Sequence, residues 1–229
     1  MNALAIDCAV SKIAIAAKKD GKMVKTVLDI GIRQSEKLLP AVDYVMREME
    51  LSPKDLTCTV TTLGPGTFTG LRLGLCTLKA LTLSHNIPLY GIPSLDAYHW
   101  GIRNAGGIHL SVIESKEEEY FYSVFEGGKK IHEDDDKHID EILSMFTEED
   151  SVLVSGPGAA SLVEQTKERK PLLKLCAITP WTDSCESLFE MAEEKIKSGE
   201  KPLEDYDGPL YIRKSEAEIV YEEKMQGKK

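Results

Sequence analysis

Short apolar runs of period two open the chain. Residues 3–8 and 12–17 are separated by Val10 and Ser11, and after a turn at residues 19–22 comes a third run at 23–28. Three consecutive strands joined by short turns predict an antiparallel meander. The spacing then becomes helical. Leu38, Leu39, Val42, Val45, Met46 and Met49 form one stripe on a helix expected to be capped by Ser35 and to run over residues 36–50. Pro40 falls early enough to remove a single hydrogen bond. The alternating, β-branched run at residues 57–63 predicts a buried strand. From Leu71 through Leu75 and Leu78 to Leu83, apolar residues occupy nearly every side of a second helix, interrupted by Arg72, Thr77, Lys79 and Thr82. A helix of that kind is covered on two faces, by its own chain or by a partner. The first stripe, with its two methionines, likewise reads as core or as an adaptable binding face.

A strand is expected at residues 87–92 and a helix capped by Ser94 to about residue 103. Asn104-Ala-Gly-Gly107 is then the best linker in the chain, dividing it into lobes 1–103 and 104–229. The second part predicts strands at 108–113 and 120–125 around a turn at 114–119. An acidic loop at 132–137, a helix at 139–146, a strand at 152–155 and the turn Gly156-Pro-Gly158 before another helix follow. This order repeats the first part, which points to a duplicated RNase-H-like α/β plan. An amphipathic helix at 184–197 is expected to pack back on the first lobe. The tail at 209–218 has an apolar, ordered start and a charged end, and residues 225–229 are expected to fray.

The 229 residues carry a formal net charge of −10, with no basic stripe to offset it. Tight binding to a phosphate backbone by this chain alone is disfavoured. The first residues lack the charged start of a signal peptide, and no apolar run approaches the roughly 18 residues of a membrane span. Cys8, Cys58, Cys76, Cys176 and Cys185 are widely spaced, lack a Cys-x-x-Cys pair and read as buried free thiols. The five histidines offer neither His-Glu-x-x-His nor an i, i+4 pair, so no metal site is expected.

Candidate chemistry sits between the buried strand and the second helix, in Gly64-Pro-Gly-Thr-Phe-Thr-Gly70. Such a loop can present amides to an anion at a helix N-terminus. Its spacing is neither a Walker A motif nor a dinucleotide fingerprint, so the signal for phosphate is weak and a tight turn packing a helix onto its sheet is the plainer reading. Asp7, at the end of the first strand, could orient a nucleotide-bound magnesium or serve as a strand-end residue. With Gly64, Gly66, Thr67 and Thr69 it makes the candidate phosphate contact. The turn after it, Cys8-Ala-Val-Ser11, lacks the glycine that close backbone approach needs.

Ala5-Ile-Asp7, Ser35-Glu-Lys-Leu-Leu-Pro40, Gly64-Pro-Gly-Thr-Phe-Thr-Gly-Leu-Arg-Leu-Gly74, Gly91-Ile-Pro-Ser-Leu-Asp96 and Pro209-Leu-Tyr-Ile-Arg213 together resemble the bacterial TsaB family, also called YeaZ. The resemblance runs in order over nearly the whole chain. It implies a two-lobed actin-like ATPase fold of the α/β class. It also implies a cytoplasmic, non-catalytic subunit that pairs with the catalytic TsaD protein and forms a homodimer when alone. With TsaD and the ATPase TsaE, such subunits serve the transfer of a threonylcarbamoyl group to the adenosine 3′ of the anticodon in tRNAs. Contact with tRNA would come only through the complex; no cofactor of its own is expected, with ATP bound weakly or at the partner interface. The expected partner surface is the stripe Leu38, Leu39, Val42, Val45, Met46 and Met49 together with Leu71, Leu75 and Leu78. TsaD carries His-x-x-x-His on the helix corresponding to residues 35–50, which has no histidine here, so no catalytic residue is expected. Glu114-Ser-Lys116 and Gly156-Pro-Gly158 depart from the family pattern in the second lobe. The alternative is a nucleotide-dependent phosphotransferase of the same fold, holding phosphates at Asp7 and the glycine loop.

Overall fold

The computed structural model describes residues 1–31, 33–178, 183–213 and 225. The charged end of the tail, residues 214–218, and the last residues expected to fray, 226–229, lie outside the described residues. One sheet holds β1 (Ala3–Asp7), β2 (Ile13–Lys19), β3 (Lys22–Leu28), β4 (Cys58–Gly64) and β5 (Leu89–Pro93) in the order β3-β2-β1-β4-β5. The other holds β6 (Ile108–Lys116), β7 (Glu119–Glu126), β8 (Lys129–His138), β9 (Ser151–Ser155) and β10 (Lys174–Ala177) in the order β10-β9-β6-β7-β8. Each is an antiparallel meander whose first strand is extended by parallel strands on its other side. The duplicated plan is therefore present strand for strand.

Period two explains why the first sheet sits between two helical layers. In β1 and β2, Leu4, Ile6, Ile13 and Ile15 point to one face, where α1 (Gln34–Glu48) and α2 (Phe68–His85) cover them. Ala3, Ala5, Ala14 and Ala16 point to the other face, and their small side chains let α6 (Cys185–Ser198) lie close through Leu188, Phe189 and Ala192. The final described helix thus returns to the first sheet. Between the lobes sits α3 (Ser94–Trp100), whose Leu95 and Tyr98 join Ala9 and Leu71 of the first lobe to Ile113 and Phe121 of the second. The second sheet is covered by α4 (Ile139–Ser144) and α5 (Ala159–Arg169).

Several local expectations change. α1 begins at Gln34, after Arg33 in the left-handed region (φ 73), with no side-chain cap, so Ser35 is not the N-cap. Ser94 does not cap α3 either: its hydroxyl accepts from the Gly64 amide at 3.1 Å. Residues 132–137 are strand, not loop, because β8 pairs with β7 and Asp134 and Asp136 reach across to Ser123 and Ser115. β10 is a strand that its short, half-buried pattern does not reveal. Cys8, Cys58 and Cys185 are buried, whereas Cys76 and Cys176 are exposed. Among the described residues no helix is long and apolar enough to cross a membrane.

At the joint between the lobes, His99 of α3 stacks on Phe125 at 3.7 Å, and its Nε2 lies 3.1 Å from Nδ1 of the buried His109. Lys130 stands nearby, held by Asp96 at 2.7 Å and Asp134 at 2.6 Å. Burial first, then the positive charge of His109, Lys130 and Arg103, lowers the His99 pKa from 6.5 to about 4. The unfolded chain takes up this proton near the ordinary value, the folded one only near 4. His99 therefore leaves stability untouched above pH 6.5 and lowers it as pH falls from there through 4. Urea unfolding at pH 7 and pH 5 should show about 2 kcal/mol of loss from this group, and a His99→Gln protein should lack that component.

Candidate functional site

Asp7 ends β1 with its carboxylate turned inward and 2 % exposed. One oxygen, Oδ1, accepts from the Ala9 amide at 3.1 Å and the Thr62 hydroxyl at 3.3 Å. The other, Oδ2, accepts from the Tyr98 hydroxyl at 2.9 Å and from the Ser184 amide and hydroxyl at 3.0 and 2.9 Å. Burial raises its pKa above the usual carboxylate range, and these hydrogen bonds oppose the rise. The Ser184 amide also brings the positive end of α6 to the carboxylate. Five donors from β4, α3, the turn after β1 and the start of α6 thus occupy its oxygens. Asp7 is a joint between elements.

The glycine loop is closed in the same manner. Gly66 faces the Ala9 carbonyl, which would lie 2.4 Å from a Cβ at that position, and Gly70 faces the Cys8 carbonyl, 2.2 Å from one. The Thr67 amide donates to Ala9 at 2.7 Å. These glycines admit the Cys8–Ala9 backbone against the start of α2, which is the tight-turn reading of the motif. Gly64, at φ 123, is crossed from the outside by the Leu210 carbonyl, 2.3 Å from a Cβ placed there. The structure brings Gly66 and Thr67 against Ala9, whose amide donates to Asp7, while Gly64 meets Ser94 and Leu210. Thr69 faces outward on α2.

The expected partner residues divide. Leu38, Val42, Val45, Met46, Leu71, Leu75 and Leu78 are buried in the chain's own core, and Met49 packs against it. Their stripe points to the sheet because β1 and β2 present Leu and Ile to it. Of the nine, Leu39 alone is well exposed, at 63 %. The outward face of α2 carries Thr69, Arg72, Cys76, Ala80 and Leu83 instead, with Leu83 at 69 %. A groove of about 590 Å³ is lined by α1, through Leu39, Val42, Asp43, Met46 and Arg47, by the segment from Glu50 to Asp55 that follows it, and by Leu81 of α2.

Sequence reasoning missed Tyr98, Thr62 and Ser184, which share Asp7, and Lys79, Arg72 and Tyr211, which fasten the tail over α2. A Tyr between Leu95, Ala97 and Trp100 was a visible signal, since a buried hydroxyl needs a partner. Ser184 carries no such signal, because its partner lies 177 residues away.

A family model described as TsaD: tRNA N6-adenosine threonylcarbamoyltransferase matches residues 32–221. The tRNA threonylcarbamoyladenosine biosynthesis protein TsaB of Bacillus subtilis is 25% identical over 127 residues, which cover 55% of this chain and 56% of that protein. The chain thus spans about half the length of that curated relative. Among solved structures, YeaZ from Pseudomonas aeruginosa superposes with a TM-score of 0.75 at 17% identity, over 92% of this chain and 99% of that one. A Bacteroides thetaiotaomicron protein with an actin-like ATPase fold and unknown function gives 0.51 at 11% identity, over 82% and 95%. The fold is therefore the two-lobed actin-like one.

Since Asp7 joins four elements, its loss should be felt in stability. Asp7→Ala would leave the Tyr98 hydroxyl and the Ser184 and Ala9 amides buried without an acceptor, at a cost of about 3–5 kcal/mol in chemical unfolding. A loss below about 1 kcal/mol would place the carboxylate outside the frame of the fold.

Proposed function

The chain belongs to the TsaD family of tRNA N6-adenosine threonylcarbamoyltransferases, in its TsaB/YeaZ branch, and from that premise we propose that it is a non-catalytic subunit docking on a TsaD-like catalytic protein. Its role would be in forming threonylcarbamoyladenosine in tRNA. The observation that carries this reading is the closed phosphate region. Asp7 has its oxygens engaged by the fold, and the loop from Gly64 to Gly70 packs against the Cys8 and Ala9 carbonyls. A phosphotransferase would need those groups free.

The docking face is the open side of α1 and α2. A helix of the partner laid along Thr69, Cys76, Ala80 and Leu83 could approach closely, because three of those side chains are small, and its apolar edge would enter the groove beside Leu39. A second copy would meet the same face when the partner is absent. TsaE would join only the larger assembly, and the net charge of −10 favours tRNA contact through the other subunits. ATP is expected to bind this chain weakly, or only where the partner adds groups to the site.

The exposed positions give a cleaner test than the buried ones. Leu39→Glu and Leu83→Glu should each leave unfolding within about 0.5 kcal/mol of the parent. Pull-down of the TsaD partner should weaken roughly 30-fold or more, as for loss of an interface anchor. Val42→Glu and Leu75→Glu place a carboxylate in the core and should unfold the chain instead. Undiminished capture of TsaD by both exposed variants would rule out this face. Fast ATP turnover by the purified chain would favour the phosphotransferase.

A further inference from the structure

Residues 203–213 form neither helix nor strand, yet they are fastened to both lobes. The Leu203 amide donates to the Leu89 carbonyl at 2.8 Å, on the free edge of β5. The Lys79 ammonium, from α2, then donates to the carbonyls of Glu204, Asp205 and Asp207 at 3.1, 2.6 and 2.6 Å. Further along, the Leu210 amide donates to Leu63 at 2.7 Å. The Tyr211 ring stacks on Phe68 at 4.8 Å, and its hydroxyl accepts from Arg72 at 2.8 Å. Ile212 packs on the cluster between the lobes, and Arg213 pairs with Asp136 at 2.6 Å and with Glu119, both in the second sheet.

We propose that this segment is a releasable latch that sets how the two lobes stand to one another. Its fastenings are of a kind that opens before the core does. Leu210 and Tyr211 are nearly half exposed and Tyr206 is fully so, and beside the Tyr211 stack and the Leu203 and Ile212 contacts it is polar bonds and the Arg213 pairs that hold the segment. The Arg213 pairs are partly buried and weaken with salt less than surface pairs do, whereas segments with few buried apolar contacts open at a fraction of the global free energy. Release would detach the Arg213 link and lift the Leu210 carbonyl from Gly64, leaving α3 and its neighbours as the joint about which the lobes move. A body docked on the exposed face of α2 meets Phe68 and Arg72, the residues that hold Tyr211, so docking and the latch share contacts. Only that last step rests on the docking reading above.

The two exposed thiols, Cys76 on α2 and Cys176 on β10, put one label on each lobe without further substitution. Spin labels there report the distance between lobes in the full chain, and hydrogen exchange reports the latch. In a Lys79→Gln/Arg213→Gln protein the amides of residues 203–213 and 64–70 should exchange roughly tenfold faster or more, with β1 and β9 unchanged. The label-to-label distance distribution should widen in the same protein, while the parent narrows toward a single distance at low salt. Unchanged distances would overturn the latch, as would exchange at residues 203–213 as slow as in β1 in both proteins. Acceleration spread over α1 and β9 would equally overturn it, by making the segment part of the core.

Discussion

A carboxylate taken out of water must be paired or fully hydrogen-bonded, and the chain answers that demand at Asp7 with donors drawn from distant parts of the sequence. Tyr98 arrives on the helix between the lobes, Ser184 at the start of the last described helix, Thr62 from the neighbouring strand. Each must be in place for the others to be satisfied. The carboxylate therefore fixes the register at which α3 and α6 meet the first sheet, and the small alanines of β1 and β2 give α6 room to reach it. The same oxygens that an incoming cation would need are the ones that hold these elements together.

The two lobes carry the same strand order but have been fitted out differently. In the first, glycines at 66 and 70 admit the backbone of Cys8 and Ala9; in the second, Gly156 admits the Val112 backbone and Gly158 the Glu114 amide. Both glycine turns have thus become packing devices between a strand end and a helix start. The departures from the family pattern at Glu114-Ser-Lys116 and Gly156-Pro-Gly158 sit at this turn of the second lobe. Both turns are packed against backbone, while the outside of α1 and α2 stays exposed, bordered by the tail that crosses Gly64.

The local patterns settled a good deal on their own. Period two gave the meander of the first lobe and the first two strands of the second, helical spacing gave α1, α2 and α6, and the repeated order of elements gave the duplicated α/β plan, because each of these is a local consequence of which side chains must leave water. The motifs from Ala5 to Arg213 carried the family. What sequence could not decide was which face of α1 and α2 looks outward. Leu38, Leu75 and Leu78 are apolar at the same spacing as Leu39, Ala80 and Leu83, and the choice between the sets belongs to the sheet, whose Leu and Ile face claims one stripe. The role of Asp7 lay equally beyond local reading. A lone acidic residue at a strand end looks the same whether it awaits a cation or holds a serine 177 residues away, and only the folded chain brings those donors to it.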